Sequence, residues 1–140
     1  MPLQPVVVRV RTYELDSFGH VNNAVYLNYL EEARSEYLRQ LDLSFNDFTE
    51  FNVQLVIVEA QIRYISAARY GDEIAIEAAF RDIGPVSLYI DYRLTIAATG
   101  RLLATATTKG AFIDATTTRP TRAPKPFRDA FLDAATAPAA

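Results

Sequence analysis

The chain has 140 residues, half of them hydrophobic and 22% charged; that is enough to bury about two thirds of its extended surface in one core, so one domain over 1–140 is expected and neither disorder nor a fibre is indicated. A net charge of −3 with scattered arginines gives no footprint for nucleic acid, the absence of cysteine removes disulfides and thiol chemistry, and a lone histidine argues against a zinc or iron centre. No apolar stretch approaches the ~20 residues of a membrane span and MPLQPVVVRV lacks the basic and long apolar regions of a signal peptide, so a cytoplasmic protein without membrane insertion is expected.

Residues 6–13, VVVRVRTY, alternate and are β-branched, which predicts a strand with Val8 and Val10 on one face and Arg9 and Arg11 on the other. From about Asn23 to Leu41, apolar residues recur at helical spacing. Tyr26, Leu30, Ala33, Tyr37 and Leu41 make a stripe flanked by Leu27, Tyr29 and Leu38, and the pattern predicts one long helix of about five turns. A polar connection, SFNDFTEFN, follows. Four strand-like runs come next, at 53–65, 73–82, 86–98 and 101–113, separated by turn signals at Arg69-Tyr-Gly-Asp72, Gly84-Pro85 and Thr99-Gly100. Short turns imply antiparallel neighbours. The tail from Thr116 allows at most a short helix near Phe127 to Leu132 and ends in APAA, which is expected to fray. The economical assembly is α+β: a curved antiparallel sheet of about five strands wrapped around one long helix. Such long strands, with apolar residues left on the second face, predict burial against another subunit.

Between the first strand and the helix lies YELDSFGHVNN, which places Asp16, Gly19, His20, Asn22 and Asn23 at or just before a helix N-terminus. The first N–H groups there lack intrahelical partners and the macrodipole is positive, so such an end suits an oxyanion developing on a carbonyl. Two readings are open at this point: an asparagine that caps the helix beside a loop aspartate, or a carboxylate placed for chemistry. Gly19 fits both. A Ser-His-Asp set finds no G-x-S-x-G elbow, and nucleotide cofactors find neither G-x-G-x-x-G nor a P-loop. A carboxylate beside a helix end can attack an activated acyl group or deprotonate a water, which suits a thioester better than an amide. Arg34 falls inside the apolar arc and needs a partner; Glu31, three residues earlier, is placed to supply it, either to brace the helix or to be oriented toward a site.

The run D-S-F-G-H-V-N-N-A-V-Y-L-N-Y-L-E-E-A-R resembles the D-x-x-G-H-V-N-N-x-x-Y-x-x-x-x-E-x-A-R signature of hotdog-fold acyl-CoA thioesterases of the 4-hydroxybenzoyl-CoA thioesterase type, with further likeness at Arg69-Tyr-Gly-Asp72 and at 117–124. The resemblance implies a hotdog domain that hydrolyses acyl-CoA. Asp16 would act as nucleophile or general base and the Asn23 backbone N–H as oxyanion donor, with Gly19 and His20 shaping the site. Asn22, Tyr26 and Glu31 would bind substrate, and Arg69, Arg81 and Ser87 are candidates for the coenzyme A phosphates. No metal or separate cofactor is implied, coenzyme A being part of the substrate, and a homodimer or a dimer-of-dimers tetramer is. His20 is expected to brace its loop through Asn22 or the backbone. This chain has Ala67 where relatives often have proline, and Gly84-Pro85-Val86 where some carry basic residues before the serine. Alternatives are an acyl carrier protein thioester as substrate, a non-catalytic acyl-thioester binding subunit, and a hydratase, which would place a histidine on the long helix.

Overall fold

The computed structural model describes residues 3–136; the 137–140 stretch expected to fray lies outside them. Its elements in chain order are β1 (Val6–Arg9), a 3₁₀ turn (Thr12–Glu14), α1 (Val25–Gln40), α2 (Phe45–Glu50), β2 (Val53–Tyr64), β3 (Glu73–Arg81), β4 (Ser87–Ile96), β5 (Leu102–Asp114) and α3 (Lys125–Thr136). The strands form one antiparallel sheet in the order β1-β3-β4-β5-β2. The expected five strands and long helix are therefore present as a hotdog fold, curled around α1.

Alternation decides which face meets the helix. On β4, Leu88, Ile90, Tyr92, Leu94 and Ile96 are buried, and their cross-strand partners Gly110, Thr108, Ala106 and Ala104 on β5 share that face. From α1 the buried residues are Tyr26, Tyr29, Leu30, Ala33 and Tyr37, as the stripe predicts, whereas Leu27 is exposed. Tyr37 donates its hydroxyl to the Ile76 carbonyl at 2.5 Å and so ties the helix to β3. The helix stops in a Schellman turn: the Leu43 N–H reaches the Leu38 carbonyl at 2.9 Å, and Asp42 takes the left-handed conformation at φ 59°.

Four expectations need correction. The first strand ends at Arg9 rather than Tyr13, because its partner β3 begins at Glu73 and the Glu14 side chain folds back onto the Arg11 N–H at 2.8 Å to start a 3₁₀ turn. The helix begins at Val25, two residues later than the periodicity suggests. SFNDFTEFN contains α2, started by a capping box in which the Ser44 side chain accepts the Asp47 N–H and Asp47 accepts the Ser44 N–H. The C-terminal helix covers Lys125–Thr136 instead of 127–132; Phe127 packs on Phe48, Phe51 and Phe112, and Phe131 on Phe80 and Phe112. Tertiary burial of those rings lengthens a helix that its sequence supports weakly.

Strands β1 and β2 occupy opposite edges, so the chain crosses the sheet twice, once through α1 and once through residues 65–72. That second crossing positions the Asp16 loop. It also leaves β2 with no strand on its outer side among the described residues, where Val58 is 53% exposed.

Candidate active site

Residues 15–21 form a tight reversal held from both sides. Leu15 pairs with Val21, the Asp16 N–H donates to the His20 carbonyl at 2.7 Å, and Gly19 supplies the left-handed turn at φ +77°. Asp16 Oδ1 accepts the N–H groups of Phe18 at 2.9 Å and His20 at 3.2 Å. Oδ2 has no hydrogen-bond donor among the described residues, so one carboxylate oxygen orients the group and the other is available. The reversal docks on the crossing segment through the Val21 N–H to the Ala68 carbonyl at 2.9 Å and a bridge between His20 and Arg69.

The helix start differs from a side-chain cap. Its N-cap residue is Ala24, in helical geometry, with no capping hydrogen bond. Asn22 instead closes an Asx turn one step earlier: its Oδ1 accepts the Ala24 N–H at 2.9 Å, its carbonyl accepts the Val25 N–H at 2.9 Å, and its own N–H donates to the Glu14 carbonyl at 2.9 Å. The Asn23 N–H has no acceptor among the described residues. Because C=O and N–H point oppositely in a trans peptide, engagement of the Asn22 carbonyl toward the helix turns the Asn23 N–H away from it. Asp16 Oδ2 and the Asn23 N–H thus stand unsatisfied in one short segment.

His20 braces the loop through its main chain, and its imidazole has no hydrogen-bond partner among the described residues, so the expected contact to Asn22 is absent. Tyr26 lies in the core, its ring in edge contact with Tyr29 at 5.9 Å and Tyr64 at 5.2 Å; burial pushes its phenol up. Glu14, which sequence reasoning missed, is a buried carboxylate beneath the loop, accepting the Arg11 N–H and the Tyr29 hydroxyl at 2.9 Å. A glutamate three residues after the start of a turn is its only local signal.

Glu31 stands elsewhere, on the wall of a cavity of about 300 Å³ between α1 and the sheet, lined also by Arg34, Leu38, Leu55, Ile57, Phe80 and Ile90. Arg34 pairs with it as expected. The Arg34 side chain is 14% exposed and that of Glu31 68%, so the arginine is the anchored member; its Nη1 also donates to Tyr92 Oη at 3.2 Å, and Tyr92 Oη meets Thr108 Oγ1 at 2.8 Å.

The phosphate candidates scatter. Arg69 adjoins His20 in the crossing segment and is exposed. Arg81 lies on the opposite face of the sheet, engaged by Asp91 at 2.6 Å and Asp82 at 2.8 Å and stacked over Tyr89 at 4.8 Å. Ser87 pairs with Ala111 on that same outer face. Among the described residues, no group of three or more His, Cys, Asp or Glu is placed to hold a metal ion, and no helix is long and apolar enough to cross a membrane.

A family model described as the Thioesterase-like superfamily matches residues 10–132. Over 99 residues, 71% of this chain and 74% of the relative, the sequence is 35% identical to the long-chain acyl-CoA thioesterase FadM of Escherichia coli. It is 34% identical over 87 residues to the acyl-acyl carrier protein thioesterase ATL3 of Arabidopsis thaliana, covering 62% of this chain but only 46% of that protein. The chain therefore spans about half the length of that plant relative. Among solved structures, the 1,4-dihydroxy-2-naphthoyl-CoA thioesterase Slr0204 from Synechocystis superposes with a TM-score of 0.84 over 92% of this chain and 95% of that one, at 23% identity, which is a likeness of fold.

Proposed function

We propose that this chain, which belongs to the Thioesterase-like superfamily, hydrolyses acyl-CoA thioesters to coenzyme A and a carboxylic acid, with an Asp16 arrangement of the 4-hydroxybenzoyl-CoA thioesterase type. The observation that carries the reading is the pair of unsatisfied groups: a carboxylate oriented through Oδ1 with Oδ2 open, and an Asn23 N–H directed away from the helix body. A thioester carbonyl that accepts from that N–H gains oxyanion stabilisation as its oxygen becomes negative, aided by the positive end of α1. Asp16 Oδ2 then has two courses. It attacks the carbonyl carbon, expelling coenzyme A thiolate and leaving an acyl–aspartyl anhydride that water hydrolyses; or it takes a proton from a water that attacks directly, and returns that proton to the departing sulfur.

The apolar wall of the 300 Å³ cavity fits an acyl chain, and the open outer edge of β2 supports pairing with a second copy. Arg69 is the phosphate candidate that this reading retains, since Arg81 already faces two carboxylates. A carrier-protein thioester is the second reading, favoured by the likeness to ATL3.

The test is release of free thiol from a panel of aliphatic and aromatic acyl-CoAs by the parent and by Asp16→Asn. The parent is expected to turn over at least part of the panel and the variant to lose about a hundredfold or more, the scale of a positioned acid–base group. Inactivity of the parent on coenzyme A and carrier-protein thioesters alike would assign a binding module. Solvent oxygen found in Asp16 after a single turnover in ¹⁸O water would identify the anhydride course, through water attack at the aspartyl carbonyl, because the general-base course places solvent oxygen only in the product acid.

A further inference from the structure

The helix start is gripped by a residue 41 positions away. Tyr64, the last residue of β2, donates its hydroxyl to the Asn23 carbonyl at 2.9 Å. That carbonyl belongs to the peptide unit whose other end, the Ala24 N–H, is held by Asn22 Oδ1 at 2.9 Å. The unit is thereby fixed at both poles. The preceding unit, which carries the Asn23 N–H, is fixed at its carbonyl by the Val25 N–H. Between them the only freedoms are the two backbone dihedrals of Asn23, and pinning both flanking planes removes them.

Tyr64 is 45% exposed, and its backbone is held by the sheet. It is opposite Ala104 in the β2–β5 ladder, and the next two N–H groups, of Ile65 and Ser66, both donate to the Leu103 carbonyl at 2.8 and 3.1 Å. Its ring meets Tyr26, the second residue of α1, edge-on at 5.2 Å, so the first turn is held by packing as well as by the hydroxyl. Ala24, the N-cap residue, offers no side chain for capping. Tyr64 restrains the residue before the N-cap from the sheet by donating to its carbonyl, whereas a serine or aspartate cap would accept a helix N–H.

We propose that Tyr64 is a positioning residue for thioester hydrolysis, its hydroxyl holding the Asn23–Ala24 peptide so that the Asn23 N–H stays aimed at the developing oxyanion. This rests on the oxyanion role given to Asn23 above. A donor that is fixed before the reaction costs no reorganisation as charge develops, whereas a donor free to swing loses part of its effect in the transition state and little in the ground state. The expected signature is on kcat and not on KM.

Tyr64→Phe keeps the ring against Tyr26 and removes only the hydroxyl. On an acyl-CoA that the parent hydrolyses, kcat is expected to fall about tenfold, less than the ~10²-fold loss for deleting an oxyanion donor outright, with KM unchanged. Amide hydrogen exchange is expected to quicken at Ala24 and Val25 while Tyr37, in the body of α1, keeps its protection. An unchanged kcat overturns the proposal. So does a rise in KM at constant kcat, which would make Tyr64 a binding group, and so does a kcat loss with exchange quickened throughout α1, which would make it a general stability residue. A parent inactive on every thioester would instead remove the functional reading on which the proposal stands.

Discussion

Tyr29 donates its hydroxyl to Glu14 Oε1 at 2.9 Å, linking the floor of the Asp16 loop to the second turn of α1. The same carboxylate oxygen accepts the Arg11 N–H at 2.8 Å, and the Glu14 carbonyl accepts the Asn22 N–H, so one residue ties together both flanks of the loop. Burial, and next the hydrogen bond to Glu14, push the Tyr29 phenol up, so it stays a donor throughout the working range.

Glu14→Ala removes the acceptor of two donors at once and strands a buried phenol. An unmet buried donor costs about 1–3 kcal/mol, so a lowered urea midpoint is expected together with weakened thioester hydrolysis, because the turn that presents the Glu14 carbonyl to the Asn22 N–H loses its side-chain tie to the Arg11 N–H. Tyr29→Phe leaves Glu14 with the Arg11 N–H and is expected to cost less. Equal losses for the two variants would contradict this ordering.

The Arg34 network gives a second ordering. Glu31 is 68% exposed, so Glu31→Gln acts on the solvated member of the pair, leaves Arg34 its bond to Tyr92, and is expected to cost below ~1 kcal/mol. Tyr92→Phe strips the buried Thr108 hydroxyl of its partner and takes an acceptor from Arg34, for an expected ~1–3 kcal/mol. Denaturant unfolding of the two variants under one condition checks it.

Phe80 lines the cavity and rests on Phe131, with ring centroids 5.1 Å apart. Phe80→Leu enlarges that end of the space and is expected to move the preferred acyl chain to greater length, at a stability cost of ~1–3 kcal/mol. Phe80→Trp is expected to move it the other way. Profiles of kcat/KM against chain length that coincide for the parent and both variants would place the acyl chain elsewhere.

Alkaline pH is expected to unfold the chain through its buried tyrosines. Burial is the largest cause that raises the phenols of Tyr26, Tyr29, Tyr37 and Tyr92, and Tyr37 is pushed up to about 12. The unfolded chain ionises these groups near their ordinary value of about 10. Their contribution is complete below that pH and is lost as pH rises through the folded value. Urea midpoints should hold level up to pH ~10 and then fall. Tyr37→Phe should lower the plateau by about 1 kcal/mol, through loss of the bond to Ile76, and make the fall shallower.

Much of the framework was legible. The stripe on α1 and the alternation on β4 are local periodicities, and burial follows them residue by residue. The Asp16–Asn23 set was legible as a motif. What failed were features whose cause lies outside the segment. β1 stops where β3 begins, α3 lengthens because Phe127 and Phe131 find rings to pack on, and the helix starts late because Asn22 closes a turn of its own. The capping box of α2 was readable in Ser44 and Asp47, but no apolar run followed to draw attention to it.

By itself the sequence determined the faces of β1, α1 and β4 and the residues of the loop, because side-chain period and turn chemistry are properties of neighbouring residues. Only the tertiary structure decided that Arg81 is matched to Asp91, that a buried Glu14 underlies the Asp16 loop, and that Tyr64 holds the Asn23 peptide. Those relations join residues up to 41 positions apart through sheet register and a chain crossing, which no local pattern encodes.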